Sequence, residues 1–288
     1  MSNNLNNFRL RLIEKIKQKK SIVCVGIDPD LNSPSFPKFL LNEKKPKLSF
    51  AKMLIDEIEG LISVIKPNTR FYHIDETEQL REIVKYAHQK DLEVIGDCKE
   101  NDIGNTMAMA YEKQFSGFDF DAITVNGYFG QDGVIGDAKM PIYKKWYEKG
   151  KGLFVLIKTS NHSSKEIQEL EIKAENSYVF AKMANLVESW GKSYDFTIGG
   201  VAGATHSEHL KIISDCLSGI LLIPGFGAQG GRPEDINQII KKNKYCIVNS
   251  SRGVMYAYKR RFKDKFSEED FAKASKAEVI HMNKELYF

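Results

Sequence analysis

Asp97, Lys99 and Asp102 fall within six consecutive positions, Asp97-Cys98-Lys99-Glu100-Asn101-Asp102. The block closes an apolar run at residues 92–95 and continues through Ile103-Gly104-Asn105-Thr106, where a helix opens. If residues 94–99 form a strand, side chains alternate faces, so Asp97 and Lys99 share one face and Cys98 points away. A carboxylate beside an ammonium at the end of a strand is a proton donor with a charge partner. Such a pair can do acid–base chemistry without a metal or a cofactor.

The elements that must hold this block recur along the chain. Eight β-branched or apolar runs, at residues 22–27, 62–66, 94–99, 122–126, 153–158, 196–201, 219–223 and 246–249, alternate with amphipathic segments. Ala51, Leu54, Ile55, Ile58, Leu61 and Ile62 mark one such segment at helical spacing, and Val179, Met183, Leu186, Val187 and Trp190 another. Strands alternating with helices imply parallel pairing. Eight units in this length point to an α/β fold, a single (β/α)8 TIM barrel, with an open doubly wound sheet as the alternative. Phe8, Leu12, Ile13 and Ile16 predict an extra N-terminal helix that closes the barrel's bottom. Ser267-Glu268-Glu269-Asp270 predicts the start of a C-terminal helix carrying Phe271, Ala274, Val279 and Met282. Residues 30–47 and 159–176 read as long loops after the first and fifth strands, placed to act as lids. No repeat or low-complexity tract divides the chain, so residues 1–288 read as one barrel domain.

In such a barrel the active site is built at the C-terminal ends of the strands. Strand one ends in Asp28-Pro29-Asp30, strand two in Lys66-Pro67-Asn68 and strand five in Lys158-Thr159-Ser160-Asn161. Pro224-Gly225-Phe226-Gly227-Ala228-Gln229-Gly230-Gly231 follows strand seven, and Asn249-Ser250-Ser251-Arg252-Gly253 follows strand eight. Polar residues thus collect at the rim while the strand bodies stay apolar. Glycines let backbone N–H groups approach an oxyanion closely, and Arg252 adds a charged fork, so the last two stretches predict a phosphate site. Lys66 joins Asp97, Lys99 and Asp102 in a set of alternating charges that satisfy one another when desolvated. That network would hold Lys99 protonated and aimed.

Other functions are excluded more simply. A net charge of +4 is too mild to imply nucleic acid without a clustered patch, and Lys259-Arg260-Arg261 reads as solvated surface. No apolar stretch is long enough to span a membrane. The polar, Asn-rich start lacks the apolar core of a secretory signal, and four dispersed cysteines without a CxxC pair suit reduced thiols, so a cytoplasmic protein is expected. The six histidines show no HxH or HExxH spacing, and no metal site is expected.

Taken together, the rim residues resemble those of the orotidine 5′-phosphate decarboxylase family. The DxKxxDIGxT block at Asp97 to Thr106 is the most specific element. GIDPD from Gly26, KPN from Lys66, TSN from Thr159, GAT from Gly203, PGFGAQGG from Pro224 and SSR from Ser250 follow in the family's order. The longer loops and the GAQGG form are similar to its bacterial and protozoan branch. Three positions depart from the pattern: the segment 69–79 lacks glycines, Glu100 stands where arginine is frequent, and Gly127 where proline is usual.

The resemblance implies a cofactor-free lyase that turns orotidine 5′-monophosphate into UMP and CO2. Lys99 would protonate the C6 carbanion left as CO2 departs, Asp97 would sit beside the substrate carboxylate, and Lys66 would hold Asp97 and bind the ribose. Asp28 and Asn68 would contact the ribose or the lysine network, and Ser160 the pyrimidine. Gln229 would bridge base and phosphate beside Gly227, and Arg252 would grip the phosphate. The resemblance also implies a homodimer in which Asp102 and Thr106 reach the neighbouring subunit's site. Two alternatives remain open at this point. One is a Mg-dependent sugar-phosphate aldolase or β-keto acid decarboxylase on the same barrel, disfavoured by the KPN and GAQGG/SSR motifs. The other is a non-catalytic phosphosugar-binding barrel, which would have no need of Lys99.

Overall fold

Parallel strands buried on both faces must be apolar along their length, and the eight expected runs are built that way. In the computed structural model, which describes residues 7–196, 198–203, 207–226, 232–242 and 245–286, each run forms a strand. They are β1 (Val23–Ile27), β2 (Val64–Pro67), β3 (Glu93–Glu100), β4 (Ala122–Asn126), β5 (Gly152–Lys158), β6 (Gly199–Ala202), β7 (Leu221–Pro224) and β8 (Cys246–Ser250). Every neighbour is parallel, and β1 pairs with both β2 and β8, so the sheet closes into a barrel. Four strands begin one to three residues later than the apolar pattern predicts, β1, β2, β6 and β7, and two of these have a visible cause. Phe196 precedes β6 because its ring packs against Tyr143, Tyr147 and Tyr194. Gly219 precedes β7 where the chain crosses so near Ile198 that a Cβ would fall 2.0 Å from its carbonyl oxygen.

Helix α1 (Phe8–Lys19) closes the N-terminal end of the barrel. The Asn7 side chain accepts from Arg9 N at 2.8 Å and caps it, and Leu12, Ile13 and Ile16 are buried. Phe8 meets Phe154 edge-on at 6.0 Å, over Gly152, whose missing Cβ leaves room for the ring. On the same end Arg11 pairs with Glu93 at 3.0 Å and Asp121 at 3.4 Å, and Asp121 also holds His88 at 2.9 Å. At the far end of the chain a helix at Phe271–Glu285 lays Phe271 on Phe50 at 4.7 Å, with Phe271, Ala274, Val279 and Met282 all buried. It starts at Phe271 rather than Ser267, because Ser267 and Asp270 bond to each other in the turn before it.

Helix α2 (Pro46–Ile58) starts with proline at its first position, where a missing N–H costs nothing. It buries Ala51, Leu54, Ile55 and Ile58, as its spacing predicts. The helix at Val179–Ser193 presents Phe180, Ala184, Val187 and Trp190, a face turned from the expected one, with Met183 and Leu186 only partly buried. The glycine-poor segment 69–79 folds as two 3-10 turns running into α3 (Thr77–Gln89). Lys47 fixes it: the buried ammonium donates to the Phe71 carbonyl at 2.6 Å and pairs with Glu76. Glu100 accepts from Gln114 at 2.5 Å, and Gly127 leaves space that Met183 and Val155 fill. Among the described residues no helix is long and apolar enough to cross a membrane.

Candidate active site

The C-terminal ends of the strands surround a cavity of about 570 Å³, the size class of a small-molecule site. Asp28, Lys66, Asp97, Lys99, Ser160 and Arg252 all line it. β2 delivers Lys66 and β3 delivers Asp97, both buried, and the two form an ion pair. The second Asp97 oxygen accepts from Lys99 Nζ at 2.5 Å. One carboxylate therefore lies between two ammoniums. Burial pushes Asp97 up, but Lys66 and Lys99 outweigh it and hold the carboxyl well below the usual carboxylate range. Burial pushes Lys66 down, while Asp97 and Asp28 raise it above the ordinary lysine value. Lys99 keeps about half of its side chain exposed toward the cavity.

The backbone that aims Lys99 is irregular. Gly96 pairs with Ile123 and Glu100 with Val125, so Asp97, Cys98 and Lys99 face the single residue Thr124 across the ladder. Lys99 takes the left-handed conformation, φ +49°, which costs a side-chain-bearing residue about 1–2 kcal/mol. Thr124 closes the bulge. Its Oγ1 accepts from Lys99 N at 3.0 Å and donates to Asp97 Oδ1 at 3.1 Å. Cys98 points the other way and is buried, as strand alternation predicts.

Asp28 accepts from Asn68 N at 3.0 Å, and burial pushes its carboxyl up against the pull of Lys66. The Asn68 side chain is not aimed at the lysines; it caps its own turn, accepting from Arg70 N at 3.0 Å. Ser251 lies close enough to Asp28 to favour its ionised form, and it accepts from Asn249 Nδ2 at 3.4 Å. Asn249 Oδ1 is buried with no partner among the described residues, beside the cavity that Asn249 lines. Ser160 rests on Gly203, and its neighbours are fastened on both sides. Lys158 is buried, donating to Ser164 Oγ at 2.5 Å and pairing with Glu169 at 3.0 Å. Thr159 and Gln168 exchange bonds at 2.9 Å. Thr124 was not singled out in the sequence, where a lone hydroxyl in the apolar run of β4 was its signal; Asn249 and Ser251 stood in the predicted rim stretch after the last strand without a role of their own.

Asp102 and Thr106 are not brought to this cavity. Asp102 accepts from Ile103 N at 2.8 Å, at the start of α4 (Gly104–Glu112). Ile103, Tyr128 and Phe129 are exposed, and Gly133 lies against Asp102, Ile103 and Phe129, whose ring is 6.0 Å from that of Tyr128, so these groups form one apolar face beside Asp102. Pro224, Gly225 and Phe226 line the cavity, with Gly225 at φ +97°. Gly227 and Gln229 lie outside the described residues.

Residues 21–263 match the model of the Orotidine 5′-phosphate decarboxylase / HUMPS family. The chain is 37% identical to the orotidine 5′-phosphate decarboxylase of Caldicellulosiruptor saccharolyticus, covering 93% of this chain and 94% of that one. It is 34% identical to the Clostridium tetani protein of the same name, with 93% and 94% covered. Among solved structures, a putative orotidine 5′-phosphate decarboxylase from Streptomyces avermitilis superposes with a TM-score of 0.76 at 25% identity, over 99% of this chain and 97% of that one.

Proposed function

The chain belongs to the orotidine 5′-phosphate decarboxylase family and converts orotidine 5′-monophosphate to UMP and CO2, and we propose that Lys66, Asp97 and Lys99 carry that reaction. The observation that carries the assignment is the single Asp97 carboxylate held between two ammoniums on the cavity wall. An Asp97 held ionised by its lysines meets the substrate carboxylate as a second negative charge, which raises the bound ground state. The C6–carboxylate bond breaks with its electron pair left on C6, and CO2 leaves. The Lys99 ammonium stabilises the negative charge as it develops and then gives its proton to C6, forming the C6–H bond of UMP. Lys99 is left neutral and recovers its proton from water. Lys66 stays paired to Asp97 and faces the ribose together with Asp28.

Arg252 grips the phosphate, supported by its place at the cavity rim and by the left-handed glycine that opens the loop after β7. Ser160 meets the pyrimidine, and Gly227 and Gln229 join the phosphate and base from that same loop. Asn68 acts through its backbone, by holding Asp28. Asp102 and Thr106 serve a second copy of the chain. The exposed apolar face that Ile103, Tyr128 and Phe129 form beside Asp102 supports a homodimer in which each cavity is completed by its neighbour. A cytoplasmic setting belongs to the same reading, with all four cysteines as free thiols.

The assay is the fall in orotidine monophosphate absorbance, followed with EDTA present. UMP should form at an undiminished rate. Loss of turnover on chelation would overturn the cofactor-free mechanism, and no turnover in either condition would overturn the substrate.

A further inference from the structure

We infer that Thr124 is a positioning residue for the decarboxylation, fixing the Lys99 backbone and the Asp97 carboxylate to one another through a single hydroxyl. Three residues of β3 face this one residue of β4, so the bulge removes the regular ladder bonds just where the proton donor sits. The Lys99 N–H can only donate, so Thr124 Oγ1 must accept there, at 3.0 Å. That leaves the hydroxyl its one proton, and it goes to Asp97 Oδ1 at 3.1 Å. The same oxygen accepts from Lys99 Nζ at 2.5 Å. Thr124, Asp97 and Lys99 therefore close a ring that runs through the lysine's own backbone.

This ring has a mechanical role. A lysine side chain has four rotatable bonds, and a left-handed residue in a bulge has little else to define its backbone. Tying Lys99 N and Asp97 Oδ1 to one buried group fixes both ends of the ion pair before substrate arrives. Threonine suits the position because its branched Cβ restricts χ1 and so orients the hydroxyl. Valine would keep the shape and lose both bonds. The Lys99 N–H would then lack its partner, and Asp97 would be free to turn away from Lys99 toward Lys66.

The inference rests on the decarboxylase reading, and its test is arranged so that the two can fail separately. Wild type, Thr124→Val and Thr124→Ser are compared for melting temperature, kcat and KM. Thr124→Val is expected to lower kcat roughly 10- to 100-fold with KM within about threefold, as loss of hydrogen bonds to charged groups does. Thr124→Ser, which restores the hydroxyl, should recover most of that loss. Should Thr124→Val not fold, Thr124→Ala against Thr124→Ser makes the same comparison. A hydroxyl-free variant with wild-type kcat overturns the inference, and so does a serine variant as impaired as the one without a hydroxyl. Wild type that releases no CO2 from orotidine monophosphate overturns the underlying reading instead.

Discussion

The hydroxyl of Ser251 occupies the space that a side chain on Gly26 would need: a Cβ on that glycine would lie 1.8 Å from Ser251 Oγ. Gly26 lies in β1 and Ser251 just past β8, strands that are hydrogen-bonded neighbours although they open and close the barrel sequence. Ser251 in turn favours the ionised form of Asp28, two residues beyond Gly26. The GIDPD and SSR motifs are thus two halves of one packing unit. Gly26→Ala should push Ser251 off Asp28, lower stability by about 1–3 kcal/mol as overpacking does, and lower kcat/KM. Adding Ser251→Gly, which removes both the hydroxyl and the Cβ that a side chain at 26 would meet, should return part of the melting temperature but not the activity. A single Gly26→Ala variant that melts and turns over like wild type would refute this coupling.

Lys99→Ala is expected to cut turnover by ~10³-fold or more, the upper range for a lost general acid, while far-ultraviolet circular dichroism stays unchanged. Activity within tenfold of wild type would sink the proton-donor assignment. The same variant tests the shared site. Lys99→Ala and Asp102→Ala chains, each inactive as homodimers, should regain activity when mixed and refolded together. In a mixed dimer one cavity has the wild-type lysine of one chain and the wild-type aspartate of the other. If Asp102 served its own chain's cavity, both sites would remain defective and no activity would return.

Arg252→Ala should act on affinity, because the guanidinium lies at the rim of the cavity and away from the Asp97 cluster in the proposed arrangement. We expect KM for orotidine monophosphate to rise roughly 10- to 100-fold, with kcat at saturating substrate within tenfold of wild type. Steady-state kinetics over a wide substrate range decide this. A collapse of kcat with unchanged KM would remove Arg252 from the phosphate role.

His88 gives the base of the barrel a pH dependence. Burial works against its charge, but the bond to Asp121 and the carboxylates of Asp121 and Asp119 outweigh it and raise the imidazole above its ordinary value of 6.5. A raised folded pKa means that the stabilisation is complete below the unfolded value, about 6.5, and is lost as pH climbs through the folded one. Melting temperature should therefore fall across that interval in wild type, and His88→Gln should flatten the fall. Identical melting profiles for the two proteins would show that the pair contributes nothing.

The strands were legible because a parallel barrel strand needs a short apolar run, and all eight such runs became strands. The rim residues were legible because Asp28, Lys66 and Arg252 are polar groups placed at the ends of those runs. Thr124 was not, since a threonine inside a strand is also an ordinary β-former. Nor was the Gly26–Ser251 contact, which joins residues 225 positions apart and exists only when the barrel closes. Lys47 read as one more loop lysine, yet its burial against Glu76 replaces the glycines absent from residues 69–79. The helix at Val179–Ser193 turned its face because Phe180, next to the expected first position, offers more apolar surface than Val179. Asp102 was read from the residues alone as part of the charge cluster, and only the family resemblance pointed it toward a neighbouring subunit; in the chain itself it lies away from the cavity.

β3 begins at Glu93, clamped by Arg11 at 3.0 Å in the floor of the barrel, and carries Lys99, its last residue but one, into the cavity. Some 20 Å of strand separate the two. One strand therefore joins the charge cluster in the floor to the one in the cavity. Substitutions around Arg11 and Glu93 lie far from the cavity, yet they are expected to loosen the strand that carries the proposed proton donor as temperature rises. Heat inactivation of this enzyme should accordingly begin as lost turnover before it is visible as unfolding.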